Sequence, residues 1–321
     1  MRRRRESDPM TALHDLTETM ALSEDQIRSA VEGAVIDTYR RLTGDEAEVR
    51  ACVDLRSARW ELIRLADGVE TRARVDIPEF PRLAAAAVRA AVAERVEDAQ
   101  RRRVLGEGAA RHGQLADVIV ERPAGQGWYV DASGVPGLLP GEERIPGEQL
   151  QRHQHVKVVI LEGRSRMHDA VLVVSRSHPL LLNRLLEQEV PELQTGQVVI
   201  RGVARDPGRR SKVAVEAPAG DIDPQGACIG PRGVRQRAVT SELGAEQVQI
   251  VAWAPEREQY VRNSLIPATV EDVQLDEETH TAHVTVAPAQ LSLAIGRGGE
   301  NARLAAKLTG WRIDIGAAGG D

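Results

Sequence analysis

Two copies of a short loop decide how this chain reads: Ile229-Gly230-Pro231-Arg232-Gly233-Val234 and Ile295-Gly296-Arg297-Gly298-Gly299-Glu300. Each spells Ile-Gly-x-x-Gly, ends a short apolar helical pattern and opens a second helix. From Gly230 to Gly296 is a separation of 66 residues, the period of a small domain. Glycine places no Cβ between the chain and an approaching polymer backbone. The helix that follows turns its unpaired first amides and its positive dipole end toward the same place. Together these features make a clamp for the phosphates of a nucleic-acid strand. One such loop is an ordinary glycine-capped turn between helices, but two in matching contexts point to binding.

Working outward, both loops sit in the same order of elements. The first copy reads as helix His178–Glu189, strands Val198–Ala204 and Ser211–Glu216, a helix ending at Ile229, helix Val234–Leu243 and strand Gln247–Val251. The second reads as helix Pro255–Leu265, strands Thr269–Leu275 and Thr281–Val286, helix Gln290–Ile295, helix Glu300–Leu308 and strand Arg312–Ile315. Both spell α-β-β-α-α-β, so the repeat is one of structure as well as of motif. The loop and its order resemble the KH domain of the prokaryotic type II kind, which clamps about four nucleotides of single-stranded RNA. The expected RNA-binding residues are Gly230, Pro231, Arg232 and Gly233 with Arg235 and Arg237, and Gly296, Arg297, Gly298 and Gly299 with Arg303. A basic hairpin tip around Asp206-Pro207-Gly208 adds Arg209, Arg210 and Lys212. Ile229 and Ile295 are expected to anchor their loops to the core.

The net charge of −6 does not oppose this reading, because the local field rather than the sum decides electrostatic attraction. Five basic residues against one acid lie between Arg201 and Lys212, and three with no acid between Gly230 and Arg237. The second repeat is richer in acids, so the first is expected to supply more of the phosphate attraction. Arg outnumbers Lys 39 to 3, which a G+C-rich coding bias toward Arg and Ala explains better than selection for Arg chemistry.

Upstream lie two further units. Ser23-Glu24-Asp25-Gln26 has the form of a capping box ahead of apolar positions Ile27, Val31, Val35 and Leu42 at helical spacing, stopped at Gly44. Strand patterns over Val49–Val53, Trp60–Leu65 and Thr71–Asp76 and a helix over 81–103 complete a helix–strand–helix domain, residues 23–106, behind a tail of residues 1–22. Gly106–Gly113 reads as a break. Five short strand patterns then follow: Gln114–Arg122, Gly127–Ala132, Val135–Leu139, Val156–Glu162 and Ala170–Ser175. They suggest a small closed barrel of the OB, S-one type over 112–176, ahead of KH domains at 177–253 and 254–316. With only 8 aromatic residues in the chain, one of the adjacent Trp128 and Tyr129 is expected in the barrel core. The fold class is a multidomain α+β protein.

Several functions are excluded by their chemistry. Neither a Gly-Lys-Ser/Thr phosphate loop nor Gly-x-Ser-x-Gly, His-Glu-x-x-His or Cys-x-x-Cys occurs, and no carboxylate pair stands out. His153-x-His155 lacks a third ligand nearby. Two cysteines, Cys52 and Cys228, fit a reducing cytoplasm and no disulfide framework. Arg2–Arg5 is followed by charged residues rather than an apolar segment, and no run is long enough to span a bilayer. Met10 is a second candidate start. The expectation is a non-enzyme with no cofactor, no metal and no membrane partner.

Longer stretches carry a closer likeness. They are Ser175-Arg176-Ser177-His178-Pro179, Glu189-Val190-Pro191-Glu192, Val203 to Lys212, Gly226-Ala227-Cys228-Ile229-Gly230, Gln290 to Gly296 and Asn301 to Trp311, with a looser agreement at Gly137 to Glu142. With an OB barrel followed by two KH repeats behind a helical N-terminal unit, the chain resembles the bacterial NusA family of transcription termination/antitermination factors. The resemblance is to an actinobacterial-like member, with an expected lack of the acidic C-terminal repeats of some members. The resemblance implies an N-terminal domain that binds RNA polymerase core near its RNA exit channel. Nascent single-stranded RNA would be guided over the barrel and KH surfaces, altering pausing, termination and antitermination, with other Nus factors as further partners. It implies a cytoplasmic monomer. Two departures stand out: Arg297-Gly298 replaces the usual Lys-Glu, and Glu300 the usual Gln. KH modules also occur in RNA-degrading phosphorolytic enzymes and in ribosome-assembly proteins. The former place KH before OB and need a phosphorolytic core, for which this chain has no room.

Overall fold

The computed structural model describes residues 22–318 except 56, 58, 67, 167, 168 and 245. The expected tail, Leu22 apart, and both candidate starts lie outside the described residues. The chain divides into two compact units, Met1–Ala109 with Gly163–Val171 and Ala110–Glu162 with Leu172–Asp321.

In the first unit, helix α1 (Glu24–Thr43) starts at the capping box: Ser23 Oγ accepts from Gln26 N–H at 3.2 Å and Gln26 Oε1 accepts from Ser23 N–H at 2.9 Å. Strands β1 (Glu48–Asp54), β2 (Arg59–Ala66) and β3 (Val69–Arg72) form an antiparallel meander. Ile27, Val31, Val35, Val49, Ala51, Leu62 and Phe80 make its core. β3 ends before the expected Asp76, because Val75 and Ile77 leave the ladder to pack on that core. Helix α2 (Phe80–Ala110) runs straight through the expected break at Gly106. A helical glycine costs only about 1 kcal/mol, and Val104 and Gly108 are buried on this turn.

The second unit begins with a closed five-stranded barrel, β4 (Leu115–Ala124), β5 (Gly127–Asp131), β6 (Pro136–Leu139), β7 (His155–Arg166) and β8 (Asp169–Ser175), in the order β4-β5-β6-β8-β7, with β7 contributing up to Glu162 and β8 from Leu172 onward. Its buried side chains are aliphatic, among them Val118, Val120, Val130, Leu139, Val158, Ile160 and Leu172. Trp128 and Tyr129 are only half-buried, against expectation. So small a barrel is filled by branched aliphatics, and Tyr129 instead lies under the Arg122 guanidinium, 3.9 Å from the ring centre.

Two α-β-β-α-α-β domains follow. The first contains α3 (Pro179–Glu189), a short α4 (Pro191–Gln194), β9 (Val199–Asp206), β10 (Arg210–Glu216), α5 (Pro224–Ile229), α6 (Val234–Glu242) and β11 (Gln247–Ala252). The second contains α7 (Arg257–Ser264), β12 (Val270–Asp276), β13 (Thr281–Val286), α8 (Leu291–Ile295), α9 (Glu300–Thr309) and β14 (Arg312–Ala317). In each sheet the central strand pairs antiparallel with its predecessor and parallel with the last strand. The stripe Leu181, Leu182, Leu185 and Leu186 lies against Val213, Val215, Cys228, Val239, Val248 and Ile250 in the first core. Burial pushes the Cys228 thiol up to about 12, so it is packing rather than chemistry.

Buried ion pairs join these parts. Glu246, in the turn before β11, accepts from Arg205 Nε and Nη2, both at 2.9 Å, from Ser211 Oγ at 2.6 Å and from Gly208 N–H at 3.0 Å. Arg205 and Glu246 side chains are 1% and 0% exposed. A Cβ at Gly208 would lie 2.9 Å from Ile145 Cγ2 and 3.0 Å from Pro146 O, so the β9–β10 turn touches the loop after β6. Arg176, 2% exposed at its side chain, pairs with Glu148 of the barrel and Glu242 of α6. Replacing Glu246 by Ala strands a buried guanidinium, which costs about 3–5 kcal/mol. Chemical denaturation should show that loss, while Glu278→Ala, on an exposed turn, should stay within about 0.5 kcal/mol of the parent.

Candidate nucleic-acid interface

The two loops have the same backbone. Gly230 (φ 73°, ψ 169°) and Gly296 (φ 76°, ψ 170°) end their helices, and Gly233 (φ 74°, ψ 21°) and Gly299 (φ 75°, ψ 12°) open the next. Between them Arg232 (φ 53°) and Gly298 (φ 59°) both lie in the left-handed region. Each turn is closed by the same bond, Gly233 N–H to Gly230 O at 2.9 Å and Gly299 N–H to Gly296 O at 3.1 Å. A side chain at the first glycine has no room: its Cβ would meet Arg235 Cγ at 2.7 Å in one copy and Asn301 Cβ at 2.8 Å in the other. So the sequence repeat is a geometric repeat, on the outside of the molecule. Pro231, Arg232, Arg297 and Gly298 are all exposed.

Not every expected residue faces outward. Arg235 donates to Ala227 O at 2.6 Å and to Glu192 at 2.8 Å, tying α6 back to α5. Asn301, the matching residue of the second copy, holds the carbonyls of Leu265, Leu293 and Ala294 in the same way. Arg237 stays exposed and donates to Arg232 O at 2.6 Å, which braces the left-handed residue of the first loop. Arg303 is drawn to Asp206. Arg209 and Arg210 lie 3.3 Å and 3.7 Å from the Glu300 carboxylate, whose side chain is 12% exposed. The basic hairpin therefore spends much of its charge on the second KH domain, and the acid beside the second loop is turned away from it.

Lys212 departs fully from expectation. It is 0% exposed, and its Nζ donates to Gln249 Oε1 at 2.8 Å and to Ile266 O at 3.0 Å. β10 is buried on both faces, so alternation sends Lys212 between the two KH domains rather than to solvent. Ile295 is exposed while Ile229 is half-buried on the core, so only the first isoleucine anchors its loop as expected. Val234, Leu293 and Ile295 give each loop an exposed apolar flank. Sequence reasoning missed Gln225 and Gln236, which reach the carbonyls of Ile250 and Val248 on the edge of β11 beside the first loop. His155 pairs with Asp117, and among the described residues no group of three or more His, Cys, Asp or Glu is placed to hold a metal. No described helix is long and apolar enough to cross a membrane.

Paired loops at helix starts, each on a three-stranded sheet, define a tandem-KH protein. Residues 176–253 match the NusA-like first KH domain and residues 257–320 the NusA-like second KH domain. The chain is 37% identical over 335 residues to the transcription termination/antitermination protein NusA of Halalkalibacterium halodurans, covering 96% of this chain and 88% of that one. To the protein of that name from Mycobacterium bovis it is 35% identical over 319 residues, covering 95% and 92%. To that of Thermus thermophilus it is 40% identical over 247 residues, covering 77% and 64%. The chain belongs to the NusA family of transcription termination/antitermination proteins, which are RNA-binding regulatory factors and not enzymes.

Burial, with a smaller contribution from Arg210, lowers Lys212 to about 7 from 10.5. Between those values the unfolded chain binds the extra proton, so this residue's contribution to stability rises with pH. Thermal unfolding followed from pH 7 to pH 9.5 should show the parent gaining on Lys212→Met as pH rises. A constant difference between the two would mean that Lys212 keeps its proton.

Proposed function

We propose that this chain binds nascent single-stranded RNA through both Gly-x-x-Gly loops and RNA polymerase core through its N-terminal unit, and so modulates pausing, termination and antitermination. The observation that carries the reading is the pair of exposed loops with one backbone geometry, each at the mouth of a helix. Phosphates approaching Gly230 and Gly296 meet no side chain on the glycines, the positive ends of α6 and α9, and the exposed cations Arg232 and Arg297. The five-stranded barrel is read as an OB fold of the S-one type that extends the RNA path, and residues 23–106 as the polymerase-binding domain, by their place in the NusA plan. Other Nus factors are the further partners, and the protein acts as a cytoplasmic monomer.

Phosphate contacts should dominate, so binding of a 20-nucleotide unstructured RNA should weaken steeply between 50 and 200 mM salt. The double variant Arg232→Asp with Arg297→Asp should lose binding by at least about 100-fold, since each change reverses a charge beside the strand, and should keep its circular dichroism spectrum. In a transcription assay with polymerase core, the parent should lengthen pausing at a hairpin-dependent site. The double variant should lose that effect while still co-sedimenting with polymerase. Unchanged RNA affinity of the double variant would refute the loop assignment.

A further inference from the structure

Strand β11 is the free edge of the first KH sheet, next to β10 only. The N–H groups of Gln247 and Trp253 donate to Arg209 O and Val215 O on the β10 side. Alternation along the strand therefore turns the carbonyls of Val248 and Ile250 outward. Two side chains from the helices flanking the loop come down on them. Gln225 Nε2, from α5, donates to Ile250 O at 3.0 Å, and Gln236 Nε2, from α6, donates to Val248 O at 2.5 Å. The loop, the two glutamines and the strand edge thus frame one groove, with both glutamines half-buried along it.

The second domain has the same edge without the glutamines. Arg312 N–H donates to His280 O and Ala318 N–H to Val286 O, which sends the carbonyls of Ile313 and Ile315 outward. The positions matching Gln225 and Gln236 are Leu291 and Ala302, which carry no side-chain donor. Among the described residues no side chain donates to Ile313 O or Ile315 O. The carboxamides are a property of the first groove alone.

We propose that Gln225 and Gln236 read bases in the first groove and select adenine there, an assignment that rests on the RNA-binding reading above. A carboxamide anchored through one N–H on a strand carbonyl holds its second N–H and its oxygen in a fixed plane. That donor beside an acceptor complements the N6–H and N7 of adenine's Hoogsteen edge, a donor–acceptor pair that no other base offers on that edge. A purine also gives the larger face to the exposed Val234 at the start of α6. The second groove, with bare strand carbonyls, lacks this reader.

The test isolates the first groove by placing Arg297→Asp in the full chain, then measures binding of oligo(A), oligo(U) and oligo(C) RNAs of 12 nucleotides by fluorescence anisotropy at fixed salt. The chain with Arg297→Asp should prefer oligo(A) by about tenfold. Adding Gln225→Leu with Gln236→Leu should erase that preference by lowering oligo(A) affinity about tenfold, leaving oligo(U) and oligo(C) within about twofold. A second pair, Gln225→Met with Gln236→Met, gives the same readout should the leucine pair fold poorly. A uniform loss across the three RNAs, no change, or a preference for another base overturns the proposal. Failure of the Arg297→Asp chain to bind any of the three, with the unmodified chain equally inert, overturns the RNA-binding reading beneath it.

Discussion

The carboxylate of Glu246 gathers four donors, two from Arg205 and one each from Ser211 and the Gly208 backbone, with no exposure to solvent. A charge buried this deeply is tolerable only because every lone pair is matched. What it fixes is the β9–β10 hairpin, and that hairpin is where three modules meet. Its turn lies on Ile145 and Pro146 of the barrel, its Arg209 and Arg210 face Glu300, and its Asp206 holds Arg303. Arg176, clamped between Glu148 and Glu242, makes a second joint between barrel and first KH domain. Pairing of this kind rewards one arrangement and penalises others, since breaking either joint leaves a bare charge inside.

The same joints explain how an acidic chain presents basic loops. Much of the arginine near the interface is consumed in structure: Arg205, Arg209, Arg210, Arg235 and Arg303 all have carboxylate partners. Glu300 is consumed with them, so the acid at the start of α9 does not face the strand that the second loop would hold. Arg232 and Arg297 stay exposed at the middle of their turns. In the first turn Arg232 sits in the left-handed region where the second has Gly298, and Arg237 braces its carbonyl. The first turn thus carries a side-chain brace at its middle residue.

Local features were legible from residue order. The Ser23–Gln26 box, the leucine stripe of α3 and the two glycine turns are each written within a few adjacent residues, and each lies where the pattern put it. What the sequence concealed are partners distant along the chain. Arg209 and Glu300 are 91 positions apart, so a basic hairpin looked like a phosphate site when half of its work is to hold a neighbouring domain. Glu246 is a single acid in a short turn with nothing nearby to mark it. For Lys212 there was a signal: Val213, Ala214 and Val215 form an apolar run, which suits a strand covered on both faces. The glutamines of the first groove were invisible, because side chains that cap a strand edge follow no periodicity.

The most direct measurement is residue-resolved photo-cross-linking of a 4-thiouridine-substituted single-stranded RNA to the full chain, read by mass spectrometry. The account predicts adducts within or beside both turns, at residues 229–237 and 295–303. Adducts confined to one turn, or lying on the outer faces of the sheets away from both, would contradict it.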